Sequence, residues 1–373
     1  MRETRAEIDL PALAANVETA KRLAGTAAVM AVVKADAYGH GAVPVARTAL
    51  GAGATWLGVA IPEEGAALRQ AGITAPILVL GPLAPAEAAL PLAHDLDQCV
   101  SDLGQIEALR AAARAAGRTA HVHLKVDTGM GRVGFQPGEV ARAAAVLRAA
   151  AGVRVRGLMT HFAEAEAEDP AHTRAQLACF DAAWQACRAA GLPVGLRHAA
   201  NSAGLLLVPE ARLDLVRPGI LLYGYHPRGA GGRGPALQPV LRLRTAIRQL
   251  KDLPRGAAVS YGRTFVAPRD VRIALLPIGY ADGWSRRLSN RGHVLVRGRR
   301  APVVGRVCMD LTLVDVTDVP GAAVGDEVVL IGRQGGEAIT ADEVAALQGT
   351  ISYEVLCGLG PRVPRTYLPA APA

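Results

Sequence analysis

AVMAVVKADAYGHG, residues 28–41, is the stretch from which the architecture of this chain can be read. The apolar run Ala28–Val33 has the length and composition of a buried strand, and Lys34 ends it. Small and turn-forming residues follow, and a helical pattern starts near Gly41. A lysine at the mouth of a buried strand is costly unless it is paired or used. It either snorkels into water or serves as a partly desolvated amine. Such an amine has a lowered pKa and acts as a nucleophile toward aldehydes and as a base. This segment alone is compatible with both readings.

The strand–loop–helix unit recurs along the first 230 residues. Further strand candidates are Trp56–Ile61, Ile77–Leu80, Gln98–Ser101, His121–Val126, Val155–Met159, Val194–His198 and Leu213–Val216. Between them lie helix-length stretches such as Gly104–Ala116, Pro137–Ala151 and Pro170–Gly191, rich in alanine, leucine and arginine. Eight such units predict an α/β fold whose parallel strands close into a (β/α)8 TIM-type barrel. A doubly wound sheet is the weaker alternative, because no GxGxxG follows the first strand.

Near residue 226 the pattern changes. His226–Pro235 (HPRGAGGRGP) reads as a linker. Short strands follow at Val271–Leu276, His293–Val296, Ala301–Val307, Leu311–Val316 and Glu327–Ile331, predicting a C-terminal all-β domain. A helical segment at Thr340–Leu347 opens with a Thr-Ala-Asp-Glu capping box. The expected domains are 1–230 for the barrel and 231–373 for the β domain, with the first few residues free to pack on the latter.

Composition narrows the function classes. With 51% hydrophobic and 20% charged residues in 373, the chain suits a globular enzyme with a sizeable core. The formal net charge is +8. The arginines are scattered apart from a modest cluster (Arg286, Arg287, Arg291, Arg297, Arg299, Arg300). No basic run is interleaved with aromatics, so a nucleic-acid partner is the weakest reading. Five cysteines show neither CxxC nor zinc spacing, which suits a reduced chain with no metal site. There is no signal-like apolar region and no stretch of 18 apolar residues, so the expectation is a cytoplasmic protein with no membrane partner.

Barrel enzymes carry their chemistry on the loops after the strands. Lys34 follows the first candidate strand. Asp127, Gly129, Met130, Gly131 and Arg132 follow the fifth, His161 the sixth, Asn201 and Ser202 the seventh, and Arg217, Gly219 and Ile220 the eighth. Each residue alone is weak, but their joint placement at one end of the barrel is a signal. Ser202 at a helix start and Gly219, which admits close backbone approach, suit a phosphate.

These motifs together resemble alanine racemase. AVVKADAYGHG, HLKVDTGMGRVG, THFAEA, HAANSA, VRPGILLYG, VSYGRTF, PIGYADGW, GRVCMD and ISYEVLCGLGPRVPR occur in the family order, and the resemblance runs from about residue 5 to residue 367. It implies a pyridoxal-phosphate enzyme that racemises alanine, supplies D-alanine for peptidoglycan and works as a homodimer with active sites shared between subunits. By resemblance Lys34 forms the internal aldimine and serves as one base, and Tyr261 from the partner's β domain serves as the other. Two bases on opposite faces meet the geometric demand of racemisation. A phenol is a poor base near neutrality unless positive charge lies beside it.

The resemblance further implies that Arg217 faces the pyridine nitrogen and that His161 packs on the cofactor ring. Tyr38, Ser202, Gly219, Ile220 and Tyr353 would hold its phosphate, with Asn201 flanking them. Arg132 would contact the cofactor's phenolic oxygen and the substrate carboxylate, and Met309 would offer a backbone N–H to that carboxylate from the partner. Tyr280 and Asp310 would line the access channel. Lys125 matches a lysine that many members carry carbamylated beside that arginine; its plain reading is a strand lysine paired with Asp127. A decarboxylase of the same fold type is disfavoured by Arg217, because such enzymes place an acid at the ring nitrogen. A non-catalytic barrel module is disfavoured by the motifs beyond residue 250.

Overall fold

The computed structural model describes residues 3–232 and 234–369. The first strand, β1 (Arg5–Asp9), lies outside the barrel. Asp9 then caps the helix Leu10–Ala24, accepting from the Ala12 amide at 2.9 Å, and that helix leads into the barrel. The barrel strands are β2 (Ala28–Val32), β3 (Trp56–Val59), β4 (Ile77–Val79), β5 (Asp97–Val100), β6 (Ala120–Lys125), β7 (Val153–Met159), β8 (Leu196–His198) and β9 (Leu215–Val216). They run parallel in the order β8-β7-β6-β5-β4-β3-β2-β9. The ring closes between β8 and β9 through single backbone bonds, Asp214 N to Arg197 O at 3.1 Å and Arg217 N to Ala200 O at 2.9 Å. The barrel expectation therefore holds, with each strand within a few residues of its anticipated span.

The barrel interior is layered by chemistry. Met30, Leu78, Cys99, Met159 and Leu215 form an apolar cluster. Beside it Asp97, His123 and His198 are also buried, because the strand period of two turns them inward. Gly157 on β7 makes the room: a Cβ there would stand 2.4 Å from His123 Nδ1.

The β-rich domain contains β10 (Leu241–Ala246), β11 (Gln249–Leu253), β12 (Ala258–Val259), β13 (Phe265–Val266), β14 (Val271–Leu276), β15 (His293–Val296), β16 (Arg299–Pro302), β17 (Thr312–Asp315), β18 (Glu327–Gln334), β19 (Glu337–Ile339) and β20 (Arg365–Leu368). Its main sheet runs β16-β15-β18-β10-β1-β20, with β19 paired to β18; β11-β14-β17 and β12-β13 form smaller sheets. β1 is antiparallel to β10 and parallel to β20. Its alternation buries Ala6 and Ile8, while Glu7 pairs with Arg242 at 2.8 Å and Arg244 at 2.5 Å.

Two expectations need correction. The strand anticipated at Ala301–Val307 pairs with β15 only as far as Pro302, and the left-handed Gly305 turns the chain into a loop. A second helix, Ser352–Cys357, follows the anticipated one, which spans Ala341–Gln348. Thr340 Oγ1 caps that first helix from the Glu343 amide at 3.1 Å. The linker stretch folds into a short turn at Gly229–Gly231 and is tied to the barrel by Arg228, which donates to Glu166 O and Ala167 O. Arg233 within it lies outside the described residues. No helix among the described residues is long and apolar enough to cross a membrane.

Candidate active site

A cavity of about 1150 Å³ opens at the C-terminal ends of the barrel strands. Lys34, Tyr38, Lys125, Arg132, His161, Asn201, Ser202, Arg217, Gly219, Ile220 and Tyr353 all line it. Tyr353 comes from the helix Ser352–Cys357, so the β domain of the same chain forms one wall. Cys357, unremarked in the sequence, lines it too.

Lys34 begins an unusual turn. Ala35, Asp36, Ala37 and Tyr38 all have φ between 51° and 54° and ψ between 38° and 52°, a turn of left-handed helix built without glycine. Each such residue costs about 1–2 kcal/mol relative to the right-handed form, so the surroundings must impose it. Glu64 holds its start, accepting from the Ala35 and Ala60 amides at 2.7 Å each. Asp36 Oδ1 accepts from Ala42 N at 2.7 Å and starts the following helix. Burial, reinforced by the Arg132 guanidinium, pulls the Lys34 amine below its ordinary pKa, so a larger share is neutral and nucleophilic.

Arg217 is buried, and four acceptors hold its two terminal nitrogens. Its Nη1 donates to His198 Nδ1 at 3.0 Å; its Nη2 donates to Thr160 O at 2.7 Å, Ala199 O at 2.9 Å and His161 Nδ1 at 3.2 Å. Arginine only donates, so the His198 proton sits on Nε2, which donates to His123 Nδ1 at 2.8 Å. His123 then donates from Nε2 to Asp97 Oδ2 at 3.2 Å, and Arg156 binds Asp97 Oδ1 at 2.9 Å. The guanidinium is thus linked to a carboxylate through two imidazoles. Burial lowers the Arg217 pKa to about 10 and holds His198 well below the usual histidine value. Burial, Arg217 and Arg132 do the same to His161.

The opposite end of the cavity is lined by hydroxyls and amides. Asn201 Oδ1 caps the short helix Ser202–Leu207 from Gly204 N at 2.9 Å. Ser202 Oγ accepts from Gly219 N at 2.9 Å and Leu221 N at 3.4 Å. The Tyr38 hydroxyl lies over Gly219, where a Cβ would stand 2.4 Å from it. Tyr38 stacks on Tyr223 at 4.7 Å and lies 6.0 Å from Tyr353. Burial raises the pKa of both phenols, Tyr38 and Tyr353, so both act as donors.

Asp127 does not pair with Lys125. Its Oδ1 accepts from the amides of Gly129, Met130 and Gly131 at 2.9–3.1 Å and folds the turn that carries Arg132. Those bonds hold its carboxyl below the usual range despite burial. Burial lowers the Lys125 amine, with Arg217 and Arg132 adding to the effect.

Tyr261, Tyr280, Met309 and Asp310 are not in this cavity. Tyr261 is 73% exposed on a short turn after β12, and Met309 is 53% and Tyr280 43% exposed. Tyr280 N donates to Cys308 O and Ala281 N to Met309 O, both at 3.0 Å, so Tyr280 and Met309 are neighbours. Ser260 Oγ donates to Arg306 O at 2.8 Å and brings Tyr261 to the same face. Asp310 pairs with Arg362 at 2.8 Å. Sequence reading missed His198, His123, Asp97 and His40; the three histidines lay inside quoted motifs without a role, and Asp97 stands one residue before the strand anticipated at Gln98–Ser101. No grouping of possible metal ligands occurs among the described residues.

Residues 8–227 match the model of the alanine racemase N-terminal domain, and residues 240–367 that of the C-terminal domain. The alanine racemase of Symbiobacterium thermophilum is 52% identical over 98% of this chain and 97% of its own length. That of Desulfovibrio desulfuricans is 47% identical over 97% of each. The crystal structure of alanine racemase from Bacillus anthracis with bound L-Ala-P superposes with a TM-score of 0.94 at 38% identity, covering 99% of this chain and 96% of that one. The enzyme from Streptomyces lavendulae superposes with a TM-score of 0.92 at 41% identity, covering 100% and 98%. The chain belongs to the alanine racemase family.

Proposed function

We propose that this chain interconverts L-alanine and D-alanine in the cytoplasm, supplying D-alanine for peptidoglycan, with pyridoxal phosphate in the barrel-mouth cavity and two bases, Lys34 and Tyr261 of the partner subunit. The observation that carries the reading is the convergence on one cavity of a pKa-lowered amine, a hydroxyl-and-amide cradle and a buried arginine. The residues fit the cofactor. Gly219 leaves the space a Cβ would fill beneath Tyr38, and Ser202, Tyr38, Tyr353 and the Gly219 and Ile220 amides form a donor set suited to a phosphate. Arg132 and Arg217 bring permanent positive charge to the cavity, suited to a dianionic group and a substrate carboxylate.

Bound pyridoxal phosphate supplies the carbonyl that binds the amino group of alanine and acidifies its α-proton. Lys34 Nζ would take or return the proton on one face, the D-alanine face. Tyr261 Oη of the partner subunit does so on the other. Arg217 only donates, so beside a ring nitrogen it would leave that nitrogen unprotonated and limit side reactions. His161, which accepts from Arg217, would buttress the ring, and Asn201 caps the helix beneath the phosphate cradle. Arg132 and the backbone N–H of Met309 of the partner subunit orient the carboxylate, and Tyr280 and Asp310 bound the access channel. Lys125, with its lowered pKa, is suited to carry a carbamate whose negative charge steadies Arg132.

The exposed apolar face bearing Tyr261, Val266, Tyr280, Met309 and Leu311 supports the homodimer, because such a patch needs a cover. The test is direct. Purified protein mixed with pyridoxal phosphate should gain a lysine-bound absorption band and convert L-alanine to D-alanine. A protein that gains no band and leaves L-alanine unchanged overturns the reading.

A further inference from the structure

We infer that His40 is a positioning residue, whose Nδ1–H latches the left-handed turn that sets Lys34 and Tyr38 at the cavity. The inference rests on the reading of Lys34 as the cofactor-anchoring lysine.

Four carbonyls of the turn, Asp36 to Gly39, are each met. Asp36 O accepts from Gly41 N at 2.9 Å and Gly39 O from Arg365 Nε at 2.9 Å. Ala37 O accepts from His40 N at 3.1 Å and His40 Nδ1 at 3.0 Å; Tyr38 O accepts from the same Nδ1 at 2.9 Å. A carbonyl only accepts, so the imidazole proton is on Nδ1. His40 is fully buried, and its Nε2 has no hydrogen-bond partner. The ring is used at one end, as a clamp on two consecutive carbonyls.

The ring is also a structural wedge. It packs 4.6 Å from Tyr223, which stacks on Tyr38, and the Tyr223 hydroxyl donates at 2.9 Å to Val32 O, two residues before Lys34. The chain around it has no slack. A Cβ on Gly39 would stand 2.4 Å from Leu356 O, and one on Gly41 would stand 1.9 Å from the Tyr367 hydroxyl. The turn is therefore held from behind by His40 and from outside by the C-terminal segment. Removing the side-chain donor strands Tyr38 O in a buried place, leaves Ala37 O with the His40 amide alone, and frees residues 35–38 to return to the right-handed form, which would redirect Lys34 and Tyr38.

Two variants separate the clamp from the wedge. His40→Leu keeps bulk and loses the donor; His40→Asn sets an amide N–H where Nδ1–H stands. Hydrogen exchange at the amides of Ala37, His40 and Gly41 is measured in cofactor-free protein, and pyridoxal phosphate affinity by absorbance titration. His40→Leu should exchange roughly tenfold faster at these amides and bind the cofactor roughly tenfold more weakly, the scale of one lost hydrogen bond. His40→Asn should restore both to near wild type. Wild-type exchange in His40→Leu overturns the latch, and so does a His40→Asn protein with fast exchange, including the case where the leucine variant does not fold. A Lys34→Ala protein that still forms the lysine-bound band would instead overturn the cofactor reading, while exchange in cofactor-free protein still decides the latch.

Discussion

Lys34 and Tyr261 both adjoin residues of positive φ, yet their surroundings are opposite. The turn at Lys34 is clamped by Glu64, His40 and Arg365, and Arg217 at its cavity is buried and hydrogen-bonded. The turn at Tyr261, with Ser260, Gly262 and Arg263 at positive φ, stands on an exposed face among Val266, Met309 and Leu311. One half of the proposed machinery is preorganised within the chain. The other half presents an exposed phenol on a turn outside the cavity. The difference teaches that strained backbone alone does not complete a catalytic group: in the proposed enzyme the β-domain face acquires its chemistry only when it covers another subunit's cavity.

The comparison can be broken at either half. The largest effect is expected for Lys34→Ala, which should lose the lysine-bound absorption band and at least about 10⁴-fold in racemisation rate, measured by coupled assay. Tyr261→Phe should keep the band and lose roughly 10²–10⁴-fold in kcat; full activity would dismiss the two-base assignment. Mixing the two inactive proteins after dissociation sharpens the point. If sites are shared, the mixed dimer holds one intact site, and random pairing should recover roughly a quarter of wild-type activity. No recovery would place both bases in one chain.

Smaller effects follow from the cradle and the buried histidines. Gly219→Ala must displace Tyr38, and should weaken cofactor binding while costing about 1–3 kcal/mol in stability, read by urea denaturation. Burial holds His40 at about 4 and His198 and His161 well below the ordinary value, so the folded state disfavours their protonation. The unfolded chain takes up these protons near pH 6.5. The stability contributed by keeping them neutral is present above about pH 6.5 and is lost as pH falls toward 4. Urea midpoints should fall across that window, and His40→Asn should make the fall shallower by one histidine's share.

The barrel was legible because strands such as Ala28–Val32 and Ile77–Val79 are short apolar runs bounded by turn residues, and because eight strand-like segments alternate with helical stretches. β1 was harder: five residues alternating in burial carry little signal, and their partners lie near the other end of the chain. Lys34, Arg132, His161, Ser202 and Arg217 were found because polar residues at strand ends have a common location. The Arg217–His198–His123–Asp97 connection was not, since it joins residues on four different strands or strand ends that only barrel closure brings together. His40 gave no signal of its own, because its partners are carbonyls, which every residue carries. Tyr261 and Met309 were found through the family resemblance alone.

The place of β1 bears on how the protein is made. It is synthesised long before its sheet neighbours, which pair through Arg244 and Arg365. At roughly 5–20 residues per second of synthesis, it waits on the order of tens of seconds for either. Through that interval the nascent barrel carries an unpaired strand edge of the kind that invites aggregation. The later sheet is completed by a strand made before the barrel. A chain that loses its first ten residues should therefore translate a whole barrel and still release a β domain with a gap between β10 and β20.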